Sequence, residues 1–351
     1  MSTFRQLASK PDTIPAATAW YLADLGEARG RQELFSRQVP QRLKALREHA
    51  IVESAVSSNR IEGVEVENDR VAAVVLGNAH LRDRNEEELR GYRDALSLIH
   101  RTGAALPVSE ATILDLHRLT RGEIWDAGRY KDKESDIIER YPDGRWRVRF
   151  MTVPAASTPD AMKELVASWE TCIAERWTHP LIALAAFNLD FLCIHPFRDG
   201  NGRVSRLLWL LQTTHLGYEV GRYISLERLV EQNKERYYET LEQSSAGWHD
   251  ESHDPWPYVN FVLFILKTAC REFEARVGQV GSPRGSKTTL IAAAIGNLPG
   301  QFTLRELEQA CPSVSRDMIR RVVREMAGKG KLVSNGRGPG ARWVKEGNVE
   351  K

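Results

Sequence analysis

Cysteine is scarce: four in 351 residues, at positions 172, 193, 270 and 311, with no C-x-x-C spacing. That excludes a zinc ribbon and a dithiol redox motif and points to reduced thiols of a cytoplasmic protein. Net charge is also nearly absent, at +2 from 49 basic and 47 acidic residues, so no global field draws the chain to nucleic acid or an anionic surface. The longest apolar run, Leu181 to Ile194, is too short to cross a bilayer and is broken by Asn188 and Asp190. The N-terminus lacks the charged-then-apolar order of a signal peptide. Neither secretion by that route nor membrane partners are therefore expected, and no repeat or low-complexity tract is present.

What is present is ordinary globular composition, 42% hydrophobic and 27% charged, with length for about two folded units. Charge is unevenly placed. From Ser313 to Lys345 there are nine Lys/Arg against two Asp/Glu, so a basic tail follows a mildly acidic body.

Helical periodicity dominates. Apolar spacing predicts helices over 41–58, 69–76, 82–100, 109–121, 159–176, 181–194, 202–215, 233–244 and 256–276, with Gly63 as a helix stop and Thr158 as the N-cap before Pro159. Pro-Asp-Gly within IIERYPDGRWRVRFMTV predicts a β-hairpin between Ile137 and Val153. A Gly/Pro/Ser-rich stretch near 277–287 reads as a linker. Beyond it, helices over 288–295, 304–310 (opened by a Thr303/Glu306 capping box) and 315–327 precede two short apolar runs around a Gly-rich turn. That is the plan of a winged helix-turn-helix module.

The segment HPFRDGNGRVSR, residues 195–206, lies between two helical patterns. Gly200, Asn201 and Gly202 suit a turn whose amides converge on an anion at a helix start. Arg203 and Arg206 can reach successive phosphates, Asp199 offers a carboxylate to a magnesium ion, and His195 can take a proton near neutrality. Singly each residue reads more simply as a cap, a turn or a solvated face. Together within a dozen positions they point to phosphate chemistry.

This segment resembles the Fic family signature, HPFx(D/E)GNGRxxR, at every specified position. The resemblance, over roughly residues 40–275, implies a mainly α Fic-type helical bundle with a β-hairpin flap, and transfer of AMP from ATP to a protein hydroxyl. By that resemblance His195 is the base and Asp199 holds Mg2+. Gly200, Asn201, Gly202 and Arg203 bind the α- and β-phosphates, and Arg206 meets the γ-phosphate. Phe197 packs inward. Gly202, replaced by lysine in the related Doc kinases, favours nucleotidyl over phosphoryl transfer. AGRYKDKESDII resembles the approach to the flap, and RYYETL the adenine pocket, with Tyr238 the better stacking candidate and core packing the competing reading.

Upstream, Ser58-x-x-x-Glu62-Gly63 resembles the family's inhibitory motif, which implies that Glu62 competes for Arg206 while Ser58 orients the segment. Whether removal of AMP also occurs stays open. The implied organisation is an N-terminal helical region with the inhibitory motif (1–104), a catalytic core (105–279), a linker (280–287) and a winged-helix module (288–345). The implied partners are ATP and a target protein bearing a Ser, Thr or Tyr hydroxyl, with a homodimer left open. The competing function is transcription regulation, with DNA read by Arg316, Arg320, Arg321, Arg324, Arg337 and Arg342, and the body as a nucleotide sensor.

Two decoys are set aside. GSPRGSKT lacks the glycine a P-loop needs before lysine, and His249 with His253, four apart, sits in a polar segment that reads as a loop rather than a metal site.

Overall fold

The computed structural model describes all residues except 1, 10–12, 37–39, 78, 141–142, 279–285, 299, 312–313, 337–340 and 346–351. The body is helical. Helices α1 (Ser2–Ser9), α2 (Ala16–Ser36), α3 (Pro40–Ile61), α4 (Asn68–Val75), α5 (Arg84–Thr102) and α6 (Glu110–Arg121) precede one antiparallel hairpin, β1 (Ile137–Arg140) and β2 (Trp146–Phe150). Then come α7 (Thr158–Glu175), α8 (Pro180–Ile194), α9 (Asn201–His215), α10 (Leu226–Gln232), α11 (Lys234–Ser245) and α12 (Trp256–Gly278).

Helix α8 is the axis of the body. It is apolar on all sides and every residue from Leu181 to Phe191 is buried, as expected for a helix surrounded by others. Its two polar interruptions are locking points. Asn188 donates to Ser205 O at 3.0 Å on α9, and the Ser205 hydroxyl donates back to Asn188 Oδ1 at 2.6 Å. Asp190 Oδ1 accepts from Thr3 N, Thr3 Oγ1 and Trp248 Nε1, which seats α1 against the core. Burial raises the Asp190 pKa against those three donors.

Helix α3 runs across α5 and α10 and stops where the sequence predicts. Gly63, at φ 79°, lets Val64 N reach Asn59 O at 2.9 Å in a Schellman closure. The capping expectation at α7 is corrected: a 3-10 turn over Ala155–Ser157 already has the chain winding, so Thr158 lies inside the helix and its hydroxyl donates to Pro154 O at 3.0 Å. Helices α1, α2 and α10 were not anticipated, and neither was the short strand β3 described below.

The hairpin pairs Ile138 with Val148 and carries a register shift at Ile137/Ile138. Its inner face is ionic. Arg147 pairs with Glu139 at 2.6 Å and Glu242 at 3.3 Å, and Arg149 donates to Tyr238 O at 3.0 Å. Ile138, Trp146 and Val148 are exposed.

After α12 come α13 (Ser286–Asn297), β3 (Gln301–Thr303), α14 (Leu304–Ala310), α15 (Arg316–Gly328), β4 (Leu332–Asn335) and β5 (Arg342–Lys345), with sheet order β3-β5-β4. The Thr303/Glu306 capping box forms as predicted. These elements share a hydrophobic cluster of their own, including Ile291, Phe302, Leu307, Ile319 and Val323, separate from that of the body. Residues 281–285 of the P-loop-like decoy and Arg337 lie outside the described residues. Among the described residues no helix is long and apolar enough to cross a membrane, all four cysteines are buried and free, and no cluster of three or more metal-ligating side chains exists.

Candidate functional site

The site forms where α8 ends and α9 begins. His195 caps α8 with a left-handed backbone (φ 52°, ψ 61°), a conformation that costs a non-glycine residue about 1–2 kcal/mol. Its Nδ1 faces Leu192 O at 3.3 Å, so that nitrogen carries the proton and Nε2 keeps its lone pair. Burial pulls the ring's pKa down to about 4, leaving it neutral at physiological pH.

The loop that follows is braced from within. Asn201 Oδ1 accepts from Phe197 N at 2.9 Å while its Nδ2 donates to Phe197 O at 2.8 Å, and Gly200 adopts φ 87° at the N-cap of α9. The Asn201 side chain is thus a staple, and its backbone N–H, with that of Gly202, sits in the first turn of α9, where amides lack helical partners. Phe197 is buried as expected and stacks on His117 with ring centroids 3.7 Å apart.

His117, on α6, was not foreseen. Its Nδ1 accepts from Gly128 N at 2.9 Å, so its Nε2 is the donor, directed to Asp199 O at 3.0 Å. Burial holds its pKa near 4.

The Asp199 carboxylate is half exposed and lies 2.5 Å from Arg121 Nη1 and 3.5 Å from Arg203 Nη2. Partial burial would raise its pKa, but Arg203 and Arg121 draw it below the ordinary value, so it is ionised. Arg203 itself is buried and paired with Glu88 at 2.5 Å; Glu88 also takes Arg121 at 2.9 Å. Arg203 therefore sits in a buried ion network under the loop.

Arg206 is also buried. Its Nε and Nη2 donate to Ser58 Oγ and O, both at 2.9 Å, and Nη2 also meets Glu62 Oε1 at 2.8 Å. Its Nη1 makes no hydrogen bond among the described residues, and it borders the space over Gly202 that the Glu62 carboxylate fills. A helix start, a buried cation with a spare donor and a carboxylate set over Gly202 against that cation form an arrangement chemically suited to an anion.

Beside it opens a cavity of about 250 Å3 lined by Glu62, His195, Gly202, Tyr238, Phe150 and Ile137 among others. Tyr238 is partly buried at its wall, while Tyr237 is buried in the core. A second unforeseen residue, Lys131, is buried next to His195. His249 and His253 are engaged otherwise: His249 stacks on Phe150 and bonds Met151 O, and His253 bonds Thr3 Oγ1.

Residues 107–212 match the Fic/DOC family. A curated relative, Protein adenylyltransferase Fic of Nematostella vectensis, is 25% identical over 246 residues, 66% of this chain and 51% of its own, so this chain spans about half the length of that relative. A solved Fic family protein from Desulfovibrio desulfuricans G20 is 26% identical with TM-score 0.60, covering 97% of this chain and 99% of that one. A Fic domain containing signaling protein from Bacteroides thetaiotaomicron shares the fold at 21% identity, with TM-score 0.61 over 73% of this chain and 97% of its own.

Proposed function

We propose, from the premise that residues 107–212 form a Fic domain, that the protein transfers AMP from ATP to a hydroxyl of a target protein or of itself, under restraint by Glu62. The observation that carries this is the Glu62 carboxylate, which accepts from Arg206 Nη2 and fills the space over Gly202 in the first turn of α9, where a triphosphate oxygen would bind. In the reaction the acceptor oxygen attacks the α-phosphorus, its proton passes to His195 Nε2, and the bond to the β-phosphate bridging oxygen breaks to release pyrophosphate. The Gly200–Gly202 amides hold the phosphates, Arg206 binds the terminal one once Glu62 leaves, and Tyr238 flanks the adenine.

Asp199 fits magnesium of one kind. A single ionised carboxylate is too few ligands for a resident ion but suits a Mg2+ that arrives on the nucleotide phosphates. Bound there, the ion neutralises phosphate charge.

The target lies along the β1–β2 hairpin, whose strands border the cavity. The exposed Ile138, Trp146 and Val148 favour an acceptor segment with apolar neighbours. Mass spectrometry of the Glu62→Gly variant after incubation with ATP and Mg2+ tests the reading: a gain of AMP supports it, a gain of phosphate or no gain rejects it.

A second reading concerns the C-terminal elements, taken as a winged-helix module over residues 288–345. Arg320, Arg321 and Arg324 on α15, with Asp317 and Glu325 beside them, line an open surface, whereas Arg342 lines the cleft where α13, α14 and β3 face α3 and Arg316 pairs with Glu308. That favours duplex DNA as an additional ligand. A gel shift whose affinity falls steeply with salt supports it; no shift at low salt rejects it.

A further inference from the structure

Resting on the transfer reading, we infer that Lys131 is a positioning residue that grips His195 from both sides and ties it to the stem of the β1–β2 hairpin. Its backbone N–H donates to Pro196 O at 2.8 Å, and its Nζ donates to Ile194 O at 3.2 Å. Those carbonyls belong to the residues immediately before and after His195. The same Nζ donates to Thr152 Oγ1 at 2.7 Å, two residues beyond β2. Thr152 is itself anchored, its N–H on Asp136 Oδ1 at 3.0 Å and its hydroxyl on Ser135 O at 3.3 Å.

Packing alone does not call for a lysine there. Lys131 is 3% exposed, its acceptors are neutral oxygens, and burial draws its pKa down to about 8 against the raising influence of Glu134 and Asp136. What an apolar side chain cannot supply is a donor for Ile194 O, a last-turn carbonyl of α8 with no helical partner, at the helix end where a cation is favoured. With that carbonyl and Pro196 O both held, the left-handed turn at His195 has little freedom to relax, and the imidazole stays aimed into the cavity. The hairpin and the base then share one hydrogen-bonding centre, so a shift of the hairpin stem is felt at His195.

The charge of Lys131 also acts on the ring, disfavouring the imidazolium, while Glu62 and Asp199 favour it. Arg149, Tyr237, Tyr238 and Cys193 complete the ionisable groups around that cavity.

The test uses the full chain with Glu62→Gly as parent, and two readouts. In Lys131→Met, NMR titration of the His195 ring is expected to move upward from about 4. The rate of AMP transfer, kcat, is expected to fall on the order of 10²-fold with KM for ATP unchanged, because the base is misplaced and the phosphate site is not. Lys131→Arg restores most of the rate, since it keeps a donor and the charge. A folded Lys131→Met with unaltered titration and kcat overturns the inference, as does a parallel change in kcat and KM. Should Lys131→Met fail to fold, Thr152→Val decides: it removes the hairpin link, and a kcat equal to the parent's overturns the inference. If the parent transfers no AMP, the transfer reading fails, and the His195 titration in the Lys131 variants still decides the grip.

Discussion

The Glu62 carboxylate accepts from Arg206 Nη2 at 2.8 Å and lies directly over Gly202, where an added Cβ would overlap Oε1. A charged hydrogen bond largely shielded from water contributes about 1.5–3 kcal/mol. Glu62→Gly removes it and is expected to tighten ATP·Mg binding by about 10- to 100-fold and to raise AMP incorporation, with His195→Ala abolishing it. Calorimetric titration with ATP checks the first effect; an unchanged affinity would remove the inhibitory role from Glu62.

Gly202→Ala evicts the same carboxylate by a different route and is expected to have the opposite consequence. Its methyl group takes the space the carboxylate vacates, 3.1 Å from Arg206 Nη1, so the freed guanidinium gains no room for a phosphate. ATP affinity should therefore stay at or below that of the unsubstituted protein. Equal tightening by Glu62→Gly and Gly202→Ala would show that the α-carbon of Gly202 does not face the anion site.

His117→Ala removes a buried ring stacked on Phe197 and the donor to Asp199 O. The expected loss is about 2 kcal/mol of stability or more in urea unfolding, together with weaker dependence of the reaction on Mg2+ as the Asp199 backbone loosens. His117→Phe keeps the stack without the hydrogen bonds and should recover stability more than Mg2+ response.

Acid sensitivity follows from the buried histidines. Burial lowers His117, His195 and His253 to about 4 and His100 to about 3, each below the ordinary value near 6.5. The unfolded chain therefore binds more protons than the folded one below pH 6.5. Stability from these rings is complete above pH 6.5 and is lost as pH falls toward 4, at about 1.4 kcal/mol per pH unit per ring. Glu86, held near 2 chiefly by its hydrogen bonds with Arg70, enters only below about pH 4.5. Denaturant unfolding across pH 8 to 4 should be level to about 6.5 and then decline steeply; a level profile to pH 5 would mean that these rings are already charged in the folded state.

Nine body helices, the hairpin and the capping box at Thr303 were legible because their signals are local: periodicity, a turn triplet, a four-residue cap. Helices α1 and α2 escaped because what holds them is distant. Thr3 is bonded to Asp190, and α2 lies along α12, contacts that no window of sequence displays. The same division runs through the site. His195, Asp199, Gly200, Asn201, Gly202, Arg203 and Arg206 could be read as one segment, and Ser58 and Glu62 as another.

By itself, then, the sequence determined which groups share the loop between α8 and α9 and where the chain turns, since both depend on neighbours a few residues apart. Only the tertiary structure decided that His117, Glu88, Arg121 and Lys131 support that loop and that the Asn201 side chain is spent as a staple; the pairing of Glu62 with Arg206, 144 positions apart, was implied by the resemblance of its motif and is present in the fold. A buried charge or an unpaired carbonyl must find its partner wherever packing brings one, and spacing along the chain carries no record of that.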